Sequence, residues 1–150
     1  MIVESDEEMK RLGFEIGSKL RGGECIELMG DVGTGKTTLM KGIAVGLAVD
    51  EDVQSPSFTL SRVYEARDGL RLDHYDFYRL SEAGIFDYQL AESLDDANAI
   101  TAVEWAETIQ AVLPSERLRI EIRYRAIDRG REVSVFAPPG LDYINGGQQS

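Results

Sequence analysis

Lys36 and Thr37 close the run Gly30-Asp31-Val32-Gly33-Thr34-Gly35-Lys36-Thr37-Thr38, a G-x-x-x-x-G-K-T spacing suited to holding a chain of phosphates. Glycines at 30, 33 and 35 let the backbone curl until successive N–H groups point inward at phosphate oxygens. A helix opening near Lys36 adds its unsatisfied N–H groups and the positive end of its dipole. The Lys36 amine would reach the β- and γ-phosphates, and the Thr37 hydroxyl would ligate Mg²⁺. Asp31, Val32, Gly33, Thr34, Gly35, Lys36, Thr37 and Thr38 are therefore the candidate nucleotide-binding residues. The metal needs a second protein oxygen, ordinarily from an acid at the end of a neighbouring strand. Two positions qualify: Glu104, which follows the apolar run Ile100 to Val103, and Asp76, which ends a strand starting at Leu70. Glu104 is a glutamate where aspartate is commoner. Either acid can hold Mg²⁺, directly or through water, while the other orients an attacking water. The plain alternative for each is a solvated strand-end carboxylate or a helix cap.

The elements that must carry these residues follow from periodicity. Met1 to Val3 reads as a short strand, and Ser5 or Asp6 caps a helix with Glu7 and Glu8 in its first turn. Met9, Leu12, Ile16 and Leu20 form one apolar face of that helix. Gly13 and Gly17 weaken it but permit close packing. Gly22-Gly23 ends the helix, and Glu24 to Met29 is the strand feeding the glycine-rich loop. The helix beyond the loop presents Leu39, Met40, Ile43 and Leu47 together. Gln54 to Leu60 is a proline-containing loop that turns into a strand running to Tyr64. Arg67-Asp68-Gly69 then turns it into a second strand, Leu70 to Asp76. This hairpin means that the sheet is not purely parallel. Ser81 to about Asp96 reads as helix in pieces, and Ala99 to Val103 as a buried strand. A helix is expected from there to Leu113, stopped by Pro114. Leu118 to Tyr124 and Glu132 to Phe136 alternate as a terminal hairpin around Asp128-Arg129-Gly130. Residues 1–136 are expected to form one nucleotide-binding domain, with 137–150 a disordered tail rich in Pro, Gly, Asn and Gln.

The other polar and aromatic residues read more plainly. Ser57 and Thr59 lie where a loop could order on a γ-phosphate, although Ser and Thr after a proline are ordinary turn chemistry. His74, the sole histidine, is expected as a half-buried ring rather than a base. Trp105 is expected to pack in the core or at its rim, and Arg79 and Arg131 to lie at the surface without phosphate. Cys25 reads as a buried small hydrophobe, and one cysteine excludes an intrachain disulfide.

The chain has 150 residues and a formal charge of −11, with 27 acidic against 16 basic side chains. That balance opposes direct grip on a nucleic acid backbone and favours contact with RNA only through a partner. No apolar run approaches the ~20 residues that span a bilayer, and the acidic N-terminus lacks a signal pattern. A cytoplasmic location without a membrane role is expected.

Four motifs in order carry a resemblance: the run from Gly30 to Thr38, Ser55-Pro56-Ser57-Phe58-Thr59-Leu60, His74-Tyr75-Asp76-Phe77-Tyr78-Arg79-Leu80, and Val103-Glu104-Trp105-Ala106-Glu107. Over most of residues 5 to 136 the chain resembles the bacterial TsaE (YjeE) family, small P-loop ATPases of tRNA threonylcarbamoyladenosine biosynthesis. The resemblance implies an α/β fold, P-loop NTPase-like and three-layered (α/β/α), with a mixed, largely parallel central sheet and antiparallel hairpins. It implies ATP and Mg²⁺ as cofactors, Thr37 and Glu104 as metal ligands, and Lys36, Asp76 and Glu104 as the catalytic set. It makes Ser55 to Thr59 a nucleotide-responsive loop. It further implies weak hydrolysis alone and action with TsaD and TsaB, with ATP turnover resetting TsaD between cycles. The tRNA would be met only through that complex, and the free protein would be a monomer. Family members usually carry threonine in place of Ser57, and the segment Asp87 to Asn98 is longer than in many relatives. A small-molecule P-loop kinase is the second reading, weakened by the lack of a basic lid. A GTPase would need an Asn-Lys-x-Asp motif that the chain lacks. A nucleotide-gated assembly factor without required turnover is the third.

Overall fold

The structure, a computed structural model, describes residues 1–54, 61–77, 86–128 and 130–145. The expected Ser55–Leu60 loop, Tyr78 to Leu80, the start of the acidic segment at Ser81, and Arg129 lie outside the described residues.

Ser5 begins helix α1 (Asp6–Lys19) by accepting the Glu8 N–H, while the Glu8 carboxylate accepts the Glu4 N–H at 2.9 Å. This reciprocal arrangement satisfies amides that the first turn leaves open. Helix α2 (Lys36–Gly46) lies against α1 along a seam of glycines. A Cβ on Gly13 would strike the Leu39 carbonyl, one on Gly17 the Ile43 carbonyl, and one on Gly42 the Lys10 carbonyl. The two backbones therefore touch, which fixes the direction in which the N-terminus of α2 points. Arg67 locks the other end. Its guanidinium donates to Gly46 O and Leu20 O, both at 2.7 Å, and to Gly17 O at 3.3 Å. One cation thus serves the exposed carbonyls of both helix C-termini.

Among the described residues, seven strands form one sheet: β1 (Ile2–Val3), β2 (Cys25–Met29), β3 (Ser61–Glu65), β4 (Arg71–Asp76), β5 (Ala99–Glu104), β6 (Leu118–Tyr124) and β7 (Arg131–Phe136), in the order β1-β7-β6-β2-β5-β4-β3. The central four, β6-β2-β5-β4, run parallel. The hairpins β3–β4 and β6–β7, and the β1–β7 pair, are antiparallel. Alternation sorts the side chains. Ile26, Leu28, Ile100, Ala102, Leu72 and Ile120 pack with Leu39, Met40 and Ile43 of α2. Cys25, Tyr75 and Val103 face the other way and pack with Leu90 of helix α3 (Phe86–Asp95). Every residue of β5 is buried, as expected of a strand covered on both faces. The expected α/β class, mixed sheet and edge hairpins are present.

Three expectations need correction. The helix expected up to Leu113 is only a 3₁₀ turn, Ala106–Ile109. Trp105 enters it in the left-handed region (φ 56°) without a side-chain cap, and a short segment ending at Pro114 has little to nucleate an α-helix. Its apolar residues Ala106, Ile109 and Leu113 are nonetheless buried. Disorder from residue 137 does not hold for 137–145. Pro139–Asn145 is a kinked 3₁₀ stretch whose Leu141 and Ile144 join the core under α1. Tyr143 donates to the Glu24 carboxylate at 2.6 Å and carries Arg21 on its ring. The prolines and glycine that read as disorder act as turn residues. Finally, His74 is fully rather than half buried, because α2 covers one face of β4 and α3 the other. Among the described residues, no helix is long and apolar enough to cross a membrane.

Candidate nucleotide site

Strand β2 delivers the chain into the loop at Gly30, whose φ of 154° is followed by 80° at Gly33 and 113° at Gly35. A Cβ on Gly30 would lie 2.7 Å from both the Ile122 carbonyl and Thr34 Oγ1. The loop folds onto itself: the Thr34 hydroxyl and N–H both donate to Asp31 O, at 2.8 and 3.2 Å. Helix α2 starts on Gly35 with no side-chain cap among the described residues. Uncapped amides, the dipole end and glycine-dependent curvature together make an anion cradle. Asp31, Val32 and Gly33 are exposed along its rim, Thr34 is buried, and Gly35, Thr37 and Thr38 are partly covered.

Lys36 is buried and folds across this cradle, donating to Gly30 O at 2.5 Å with its ammonium 4.0 Å above the Trp105 ring. Burial pushes its amine below the ordinary lysine range, against the opposing pull of Glu104, Asp76, Asp31 and Glu107. Four nearby carboxylates thus hold a positive charge where phosphate charge would be bound.

The parallel register of β4 and β5 sets Asp76 directly beside Glu104, and both are buried. Leu28 of β2 pairs with Glu104 on its other side, so both acids sit at the strand ends next to the loop. His74 Nε2 lies 2.6 Å from Glu104 Oε2, while Nδ1 has no partner among the described residues. The tautomer with hydrogen on Nε2 satisfies this geometry: it donates to Glu104 and leaves no N–H unpaired. Among the described residues, no group of three or more His, Cys, Asp or Glu could hold a metal. A hard cation here would thus depend on phosphate oxygens, with Thr37 and Glu104 adding protein ligands. The residues present fit a Mg-nucleotide and not a metal held by protein alone.

The structure therefore brings together Lys36, Thr37, Asp76 and Glu104, four residues from three separate parts of the chain. Sequence reasoning missed three supports. Trp105 was expected only to pack, but its left-handed backbone turns the ring under the Lys36 amine. His74 was not expected to touch Glu104. Arg131 is more than a surface side chain: its Nε donates to Thr34 O at 3.0 Å. The strand register that pairs positions 76 and 104 would have revealed the histidine contact; nothing in the spacing of 131 signals its reach.

Comparison with known proteins agrees with this assembly of motifs. The family described as "Threonylcarbamoyl adenosine biosynthesis protein TsaE" matches residues 3–133. The chain belongs to the TsaE family. Among similar proteins named "tRNA threonylcarbamoyladenosine biosynthesis protein TsaE", that of Bacillus subtilis is 39% identical over 132 residues, covering 87% of this chain and 80% of the relative. The Treponema pallidum protein is 34% identical over 134 residues, covering 89% and 97%. The Streptomyces coelicolor protein is 38% identical over 136 residues, covering 89% and 90%. The crystal structure of Bacillus subtilis YdiB superposes with a TM-score of 0.75 at 28% identity, covering 97% of this chain and 90% of that one. The TsaE match over residues 3–133 takes in both strand-end acids as well as the loop.

Proposed function

We propose that this TsaE-family chain is a Mg-dependent ATP-binding protein and weak ATPase. It supports tRNA threonylcarbamoyladenosine formation with TsaB and TsaD and resets the TsaD complex between cycles. The observation that carries the reading is the uncapped start of α2, curled around by its glycines and set beside the Asp76–Glu104 pair. The amides of the loop and of α2 bind the phosphates. Lys36 would leave Gly30 O to meet the terminal phosphate oxygens, and Thr37 and Glu104 would hold the magnesium. Bound Mg²⁺ would offset the charge that gathers on the phosphate oxygens as the terminal phosphoryl group leaves. Asp76, one strand over, orients water through a carboxylate oxygen. His74 keeps the Glu104 carboxylate turned toward the site. The −11 charge fits a protein that meets tRNA through partners, as a monomer when free and in the cytoplasm.

Titration calorimetry with Mg·ATP tests binding, and ATPase assays with and without TsaB and TsaD test turnover. Lys36→Ala is expected to lose binding, whereas Glu104→Ala keeps ATP but loses Mg-dependent hydrolysis. No heat from folded wild type at millimolar Mg·ATP would end this reading. A phosphorylated metabolite would move it to the kinase class. Multi-cycle tRNA modification by a Glu104→Ala variant that binds but does not hydrolyse ATP would move it to a nucleotide gate.

A further inference from the structure

Two consecutive carbonyls of the glycine loop are held by residues about ninety positions away. Tyr124 ends β6 and Arg131 opens β7, and the two are direct partners in the antiparallel ladder. The guanidinium carbon of Arg131 lies 4.2 Å over the Tyr124 ring, so each side chain steadies the other. The Tyr124 hydroxyl donates to Gly33 O at 2.6 Å, and Arg131 Nε donates to Thr34 O at 3.0 Å. The Arg131 backbone is itself seated between two strands, opposite Tyr124 on one side and Val3 of β1 on the other.

In a trans peptide the N–H points opposite to its C=O, and no peptide among the described residues is cis. Holding Thr34 O toward Arg131 therefore turns the Gly35 N–H away from the hairpin and into the loop. Holding Gly33 O toward Tyr124 fixes the adjoining Thr34 N–H in its turn with Asp31 O. The fit also constrains Gly33, where a Cβ would come within 2.9 Å of the Tyr124 hydroxyl.

We propose that Tyr124 and Arg131 are positioning residues for nucleotide binding, a strut from the terminal hairpin that sets the Gly33–Gly35 peptides before phosphate arrives. The proposal rests on the ATP-binding reading above. A strut of this kind lowers the ordering cost of binding; it touches no reacting atom. It therefore changes affinity for ATP and ADP alike and leaves the chemical step unchanged once the site is filled.

The test compares wild type, Tyr124→Phe and Arg131→Met by calorimetry with Mg·ATP and Mg·ADP, by steady-state hydrolysis, and by thermal melting without nucleotide. Tyr124→Phe is expected to bind both nucleotides about five-fold more weakly, the effect of one lost neutral hydrogen bond, and Arg131→Met at least about ten-fold more weakly, because its lost bond is charge-assisted. KM rises to match, and kcat is unchanged. Tyr124→Phe, which removes only a hydroxyl from a half-exposed ring, melts as wild type does. Wild-type affinity in both variants overturns the strut. So does a fall in kcat at constant KM, or a loss of affinity that only follows a lowered melting temperature in both. Absence of binding by wild type itself would overturn the nucleotide reading, and the strut with it.

Discussion

Cys25 offers a chemical probe of how firmly the strand that feeds the loop is held. It lies in β2 at 2% exposure, packed with Tyr75, Val103 and Leu90. Burial raises its thiol from the 9.0 of an exposed group to about 12, with Glu27 adding to the effect and Arg117 opposing it. At pH 8 the thiolate population is therefore about 1,000-fold smaller than in the unfolded chain, before any steric exclusion of the reagent. Alkylation by iodoacetamide, followed by intact mass, is expected to be at least that much slower in native protein than in guanidinium. Reaction then proceeds through opening of β2, which undoes the nucleotide site as well. Mg·ATP at a hundred times its Kd should slow labelling roughly another 100-fold. The folded state keeps the proton between 9.0 and about 12 while the unfolded state loses it, so stability falls as pH rises through that window. A native rate within tenfold of the denatured one would refute the burial argument. Labelling unaffected by a nucleotide that demonstrably binds would show that β2 opens independently of the site.

Other perturbations follow from single contacts. Gly17→Ala drives a methyl into the Ile43 carbonyl; overpacking of about 1–3 kcal/mol exceeds the gain of up to ~1 kcal/mol in helix propensity. Its melting temperature should fall, and a rise would sink the seam argument. Arg67→Ala uncouples the ends of α1 and α2 and should cost about 2–3 kcal/mol by denaturant titration. A loss under about 0.5 kcal/mol would show the contacts to be incidental, as for many exposed charges. His74→Leu removes the donor at 2.6 Å from Glu104 and should raise the Mg²⁺ concentration for half-maximal hydrolysis about 10-fold. His74→Gln, which keeps an N–H at similar reach, should restore most of it. Superimposable Mg²⁺ curves for wild type and His74→Leu would remove the histidine from the site.

Local chemistry accounts for what could be read from residues alone. The G-x-x-x-x-G-K-T run needs its own glycines and helix, all within one segment, so the loop and α2 were legible. Both hairpins announced themselves through turn residues and alternation, and the burial of β5 followed from a run apolar at Ala99, Ile100, Ala102 and Val103. Non-local geometry was harder to read. Nothing near residue 74 says that its ring meets Glu104; that contact exists because β4 and β5 lie side by side in one register. The reach of Tyr124 to Gly33 depends likewise on β6 lying next to β2. At 137–145, composition misled: two apolar side chains, Leu141 and Ile144, outweighed the surrounding Pro and Gly once α1 offered a surface. The short turn after Trp105 shows the reverse, a helical apolar spacing without enough helix to sustain it.

The strand order also bears on how the chain is made. β2, which leads into the glycine loop, lies between β5 and β6, and among the described residues β1 pairs with β7, which follows every other described strand in the sequence. A ribosome releasing this protein from its N-terminus exposes the loop long before either flanking strand exists, and such long-range parallel pairings form slowly. On the proposed reading, nucleotide capture would need a chain grown past Tyr124, and growing chains halted before it would not compete with mature copies for the nucleotide pool.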